Sequence, residues 1–196
     1  ALTIGYGKRV YWRVNEVLTD SSVIEGPVWS FTTLDPALVK NLLAHYKFDN
    51  DLTDSGENGM HGTDPNGVGY ETGILGSGAL VLDRSRNEYI VLPTDAYPKT
   101  GVFNGLGKGT FSCWIKAATS GWIINNGNDG AKTFFGIELQ ASSDIRLYIR
   151  GEDYTTQMTV SLKKNIIGDG TWHMVTATWV AGGSMTIYVD GTPVNS

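Results

Sequence analysis

The chain has 196 residues, of which 41% are hydrophobic and 18% charged, and its formal net charge is −5. This apolar content suffices for a core and argues against global disorder. The acidic balance, with only the isolated pairs Lys8-Arg9 and Lys163-Lys164, argues against nucleic acid as a partner. No apolar run approaches a membrane span, and no signal peptide is visible. The 25 glycines against 6 prolines, without collagen periodicity, mark a chain with many turns, as in an all-β protein. The single cysteine, Cys113, can make no intrachain disulfide and sits in the strand-like run Thr110 to Ile115, where a small apolar core residue is expected.

Residues 1–33 form a first unit. The run Arg9 to Val17 alternates, with Val10, Trp12, Val14 and Glu16 on one face and Tyr11, Arg13, Asn15 and Val17 on the other. A polar stretch, Leu18 to Glu25, leads to Gly26-Pro27-Val28-Trp29-Ser30-Phe31-Thr32-Thr33, so an N-terminal β-hairpin with a long loop is expected. Two strands alone are marginal in water. Partners are expected either in the domain that follows or in residues outside this chain. These two runs resemble the last two strands of a bacterial fibronectin type III-like domain, which implies that the rest of such a sandwich lies outside the chain. Residues 34–41, opening Leu34-Asp35-Pro36-Ala37, read as a linker, since Pro36 disfavours helix at Asp35.

Leu42 to Phe48 reads as a strand with Ala44, Tyr46 and Phe48 on one face. It runs into Asp49 to Thr63, a loop dense in carboxylates, amides and glycines. Hard oxygen donors at close spacing suit Ca²⁺, with Asp49, Asp51 and Asp54 as candidate ligands. The same residues also serve as turn caps for backbone N–H groups, which is the preferred reading of the loop. An EF-hand is excluded, because the loop lacks glycine at its sixth position.

Further strands are expected at Gly78 to Asp83, Glu88 to Pro93, Thr110 to Ala117, Trp122 to Ile124, Phe134 to Leu139, Ile145 to Arg150 and Thr156 to Leu162. The last pair, Thr171 to Trp179 and Met185 to Val189, forms a hairpin through Gly182-Gly183 and ends on Asp190-Gly191. Strands at this spacing with glycine-rich turns indicate a sandwich or barrel. Sugar sites combine an aromatic face with amides and carboxylates. Trp122, Asn125, Asn126 and Asp129 supply those groups in one loop region, and Tyr154 adds a second aromatic candidate.

Four ordered stretches resemble a laminin G-like domain of the concanavalin A-like superfamily. They are Leu43-Ala44-His45-Tyr46-Lys47-Phe48-Asp49 with Asp54-Ser55-Gly56 and Asn58-Gly59; Gly76 to Asp83 leading to Tyr89-Ile90; Gly109 to Ile115; and Gly170-Thr171-Trp172-His173 through Tyr188-Val189-Asp190-Gly191. The resemblance covers residues 42–196. It implies an all-β antiparallel jelly-roll sandwich in a secreted or surface bacterial protein, and a non-catalytic module that binds a polysaccharide or other glycan, often with a structural calcium. Such domains usually continue past the Asp-Gly turn. The resemblance therefore implies a sandwich incomplete at its C-terminal side, with an exposed apolar edge along Met185 to Val189.

Glucanases of this superfamily carry a Glu-x-Asp-x-(x)-Glu strand whose alternate carboxylates share one face. The chain has no such strand: Gln140 stands where Glu138 would need an aspartate, and Glu152-Asp153 are adjacent. His173, beside Trp172 in a strand, reads as structural. Two functions remain: an extracellular carbohydrate-binding module, or a structural and adhesion module that contacts a surface protein or spaces other domains of a longer chain. A glycoside hydrolase is a distant third.

Overall fold

The computed structural model describes residues 8–33, 41–93, 107–126, 134–141, 144–150, 157–163, 166–180 and 183–194. The chain divides into two compact units, one of Ala1–Tyr46 with Thr53–Met60 and one of Lys47–Leu52 with His61–Ser196. Among the described residues, no helix is long and apolar enough to cross a membrane.

In the first unit, β1 (Arg9–Trp12) pairs antiparallel with β4 (Trp29–Thr32), and β2 (Glu16–Val17) with β3 (Val23–Ile24). The register sets Val10 opposite Phe31 and Trp12 opposite Trp29, whose ring centroids lie 4.8 Å apart. The expected continuous strand from Arg9 to Val17 is broken at Arg13–Asn15. There the Arg13 guanidinium makes a two-pronged pair with Glu25, both contacts at 2.7 Å. Gly26 approaches so closely that a Cβ on it would fall 2.1 Å from the Val14 carbonyl oxygen.

No strand forms over Leu42 to Phe48. Tyr46 makes a single bridge to Asp54. Phe48 and Asn50 take left-handed φ values of 57° and 66°, which break the extended run that alternation predicts. Asp54 organises this segment. Its Oδ1 accepts from the N–H groups of His45 at 2.7 Å and Gly56 at 2.8 Å, and its Oδ2 from Met60 at 3.0 Å. The Tyr46 hydroxyl donates to the Met60 carbonyl. Burial, then the charge of Asp54, pushes the Tyr46 phenol up to about 12.

The second unit is a sandwich of two four-stranded antiparallel sheets, with a small two-stranded sheet, β5 (Gly69–Glu71) with β6 (Ala79–Val81). One sheet contains β7 (Lys108–Ile115), β12 (His173–Val180), β13 (Met185–Val189) and β14 (Thr192–Val194), in the order β14-β13-β12-β7. The other contains β8 (Gly121–Asn126), β9 (Phe134–Leu139), β10 (Asp144–Arg150) and β11 (Gln157–Lys163), in the order β11-β10-β9-β8. Glu88 to Pro93 contributes only a bridge from Val91 to Thr63.

Alternation decides which faces meet. Ile137, Ile145, Leu147, Val175, Ala177, Ile187 and Val189 are wholly buried in one apolar cluster, joined by Trp179 and Met185. Phe111, Cys113 and Ile115 pack against it from β7. Burial pushes the Cys113 thiol up to about 12, so it behaves as the apolar core residue expected.

The exposed apolar edge expected along Met185 to Val189 is absent. Met185, Ile187 and Val189 point into the core, and β14 pairs along β13 with Val189 opposite Thr192 and Ile187 opposite Val194. The connection is the two-residue turn Asp190-Gly191, whose φ values of 52° and 75° are both left-handed. That turn geometry suits the right-handed twist of a hairpin. Alternation could not reveal it, because Thr192-Pro193-Val194 is too short for a periodic signal.

Candidate functional site

The outer face of the β8–β9–β10 sheet gathers polar and aromatic side chains that the inner face excludes. On β9, Phe135, Ile137 and Leu139 turn inward, so Gly136 and Glu138 turn outward. On β10, Ile145, Leu147 and Ile149 turn inward, leaving Arg146 and Tyr148 outside. Cross-strand register then builds two rows. Trp122, Glu138 and Arg146 lie in line across the three strands, and Asn125, Gly136 and Tyr148 form the neighbouring row.

Trp122 and Asn125 are three residues apart, an odd spacing that places them on opposite faces of a regular strand. A register shift between Trp122 and Ile124 resolves the conflict. The extra residue, Ile123, packs with Ile124 against the core, and both Trp122 and Asn125 face outward. Trp122 is 43% exposed. The amide of Asn126 is engaged differently: its Oδ1 accepts from the Phe135 N–H at 2.7 Å and fixes the end of the β8–β9 ladder. Asp129 and Tyr154 lie outside the described residues.

Three residues of this face were not singled out in the sequence as ligand-binding: Glu138, Arg146 and Tyr148. Arg146 Nη2 donates to Glu138 Oε2 at 2.5 Å. The two side chains are 33% and 22% exposed, so the pair is partly desolvated. The Arg146 guanidinium carbon also stands 6.0 Å from the Tyr148 ring centroid, at the outer reach of a cation–π contact. Its Nε is buried and makes no hydrogen bond. The alternation Ile145-Arg146-Leu147-Tyr148-Ile149 carried the signal for the outward pair. The register that brings them level with Glu138 and Trp122 was not legible in it.

Two of the three aspartates considered for calcium, Asp49 and Asp54, accept backbone N–H groups. Asp49 Oδ1 accepts from the N–H groups of Ser77 at 2.6 Å and Gly78 at 3.0 Å, and these bonds hold its carboxyl below the usual range. Gly76 takes φ 72°, and a Cβ there would meet the same carboxylate at 2.4 Å. Asp54 receives three N–H donors, as described above. Asp51 lies in the exposed bend between them in sequence. N–H donors converging on Asp49 Oδ1 and on both oxygens of Asp54 suit turn closure. Among the described residues, no group of three His, Cys, Asp or Glu side chains is placed to hold a metal ion.

A second charged cluster closes one end of the other sheet. His173 Nδ1 meets Asp190 Oδ2 at 2.8 Å, and Nε2 meets Asp169 Oδ2 at 2.8 Å and Thr171 Oγ1 at 2.8 Å. With a carboxylate at each ring nitrogen, the doubly protonated ring satisfies both. Burial alone pushes this imidazole down. The hydrogen bonds and charges of Asp190 and Asp169 outweigh it, and the net shift is upward. Asp190 Oδ1 also accepts from the Met174 N–H at 2.9 Å. His173 thus ties the approach to β12 to the β13–β14 turn, a structural role.

Known proteins resemble this architecture. The binding domain of Paraclostridial Mosquitocidal Protein 1 aligns over 81% of this chain and 40% of its own, with 16% identity and a TM-score of 0.62. A structure of botulinum neurotoxin type C, a toxin whose cell entry is dependent upon interaction with two ganglioside molecules, aligns over 81% of this chain and 39% of its own, at 14% identity and a TM-score of 0.54. The receptor binding domain of botulinum neurotoxin C/D mosaic serotype aligns over 78% and 37%, at 13% identity and a TM-score of 0.50. At these identities the likeness is one of fold, and the chain spans less than half the length of each solved chain. No curated protein matches the sequence. The laminin G-type family model, described as concanavalin A-like lectin/glucanases superfamily, matches residues 84–196, more than half of the chain. With the sandwich of two antiparallel sheets, that match establishes that the chain belongs to the concanavalin A-like lectin/glucanase superfamily.

Proposed function

We propose that this chain is a non-catalytic carbohydrate-binding module that works outside the cell within a larger bacterial protein. One observation carries the reading: a half-exposed Trp122 stands in register with the Glu138–Arg146 pair on the outer face of β8–β10, with Asn125 and Tyr148 alongside. A pyranose ring offers an apolar face of C–H groups and a rim of hydroxyls. An indole receives the first, and carboxylate, guanidinium and amide groups bond the second. The ganglioside interaction named for the botulinum neurotoxin C structure supports glycans broadly as the ligand class and carries no weight on the charge of the sugar.

Glycoside hydrolysis needs two carboxylates flanking the scissile bond. Among the described side chains of this face, Glu138 is the one carboxylate, and it is paired to Arg146. The face is therefore read as a binding surface. Calcium has no part in this proposal, because the β8–β10 face lies apart in sequence from Asp49, Asp51 and Asp54. A glycan array probed with the purified chain, with and without Ca²⁺, tests the reading. Binding to a defined set of glycans in both conditions supports it, and a blank array counts against it.

A second reading, contact with a surface protein, is favoured by one feature of the first unit. Trp12, Trp29 and Phe31 share one face of the β1–β4 pair and are each between 44% and 49% exposed.

A further inference from the structure

We infer that the ligand of the β8–β10 face is a neutral glycan, and that Glu138 sets this preference by occupying Arg146. The inference rests on the carbohydrate reading above and goes further by naming the class of sugar.

A solitary arginine beside two aromatic rings would be a receptor for the carboxylate of a uronic or sialic acid, or for a sulfate, since guanidinium binds such groups with two parallel bonds. On this face the guanidinium is already met. Glu138 Oε2 accepts from Nη2 at 2.5 Å and neutralises the guanidinium, and Nε is buried without a hydrogen bond, so the two-pronged Nε–Nη2 grip on an anion is closed. An anionic sugar would have to displace Glu138 or lie against it. Either arrangement costs free energy, because like charges repel and the partly desolvated Glu138 would lose its counter-charge. The chain's net charge of −5 adds a weaker, longer-range repulsion.

A neutral sugar meets no such penalty. A hydroxyl is both donor and acceptor. Neighbouring hydroxyls of one ring can donate to a Glu138 oxygen and accept from an outer Arg146 N–H while the ion pair stays intact. The two side chains project from adjacent strands about 5 Å apart, a spacing comparable to one sugar ring. Trp122 stands on the far side of Glu138, and Tyr148 stands two residues along β10 from Arg146, so one aromatic ends the row and the other lies beside Arg146 in the neighbouring row. Among the described side chains of this face, Glu138 and Arg146 are the only charged ones.

Isothermal titration with two panels tests the inference: neutral hexasaccharides of glucose, mannose and galactose, and acidic hexasaccharides of galacturonate and of sulfated heparin. The wild-type chain should bind a member of the neutral panel at least about tenfold more tightly than any acidic one. Glu138→Gln, which removes the charge and keeps the shape, should narrow or reverse that ratio by about tenfold by freeing Arg146. Arg146→Gln, checked for native circular dichroism, should weaken neutral binding without gaining acidic binding. A wild-type preference for the acidic panel overturns the inference and leaves the carbohydrate reading standing. An unchanged ratio in a folded Glu138→Gln chain also overturns it. Failure of the wild type to bind either panel overturns both.

Discussion

His173 and Asp190 are bonded ring nitrogen to carboxylate at 2.8 Å, joining the first residue of β12 to the turn that launches β14. The contact makes stability at this end of the sheet depend on pH. The folded-state pKa of His173 is raised above 6.5, so its contribution is complete below pH 6.5 and is lost as pH rises through the folded value. Asp169 is lowered below 3.8, chiefly by the Thr171 N–H and by His173, so its contribution is present above pH 3.8 and is lost as pH falls through the folded value. The clamp is strongest between these limits. His173→Ala should lower stability by about 1–2 kcal/mol at pH 6, in line with hydrogen bonds to charged groups. Thermal melts of both chains should converge as the pH is raised to 9. A gap that stays constant would show that the ring acts by packing and not by charge.

Asp54 is 3% exposed and satisfies three backbone N–H groups. Asp54→Ala strands those donors, and a loss of about 3 kcal/mol is expected in urea unfolding. Asp54→Asn keeps one acceptor oxygen and should fall between alanine and the wild type. Because N–H groups face Asp49 and Asp54, adding Ca²⁺ or chelator should leave the melting temperature unmoved. A rise of several degrees with Ca²⁺ would show that these carboxylates abandon their donors for a cation.

Gly109 lies directly opposite Trp179, and a Cβ on it would sit 2.3 Å from the indole. Trp179 is 6% exposed and packs 5.0 Å from the Phe135 ring. Gly109→Ala must push the indole off its partner, at a cost of about 1–3 kcal/mol. Tryptophan emission should report the displacement, and an unchanged spectrum with unchanged stability would show that the ring has room to move.

The strands that pack the sandwich were legible because alternation and burial coincide there. Phe134–Leu139 and Met185–Val189 fall where period-two hydrophobicity places them. Legibility failed where backbone conformation overrode pattern. Left-handed residues at Phe48 and Asn50 broke an alternating run, and the Asp190-Gly191 turn added a strand too short to show a period. The candidate site was half legible. Trp122 and Asn125 were singled out by residue type, yet only the bulge at Ile123 sets them on one face. Glu138 drew attention as a failed catalytic carboxylate, although its partner Arg146 lies one strand away, and cross-strand register is a property of the folded sheet.

Carbohydrate binding by the β8–β10 face is tested most directly by saturation-transfer NMR with the best glycan from an array, comparing the wild type with Trp122→Ala and Tyr148→Ala. An exposed indole carries about 1–3 kcal/mol of a stacking contact, by analogy with base stacking on aromatic side chains. Trp122→Ala should therefore weaken binding about tenfold or more, Tyr148→Ala should weaken it less, and saturation of sugar C–H protons at matched concentration should fall from the wild type through Tyr148→Ala to Trp122→Ala. Full glycan binding by a folded Trp122→Ala, Tyr148→Ala double variant would contradict the account.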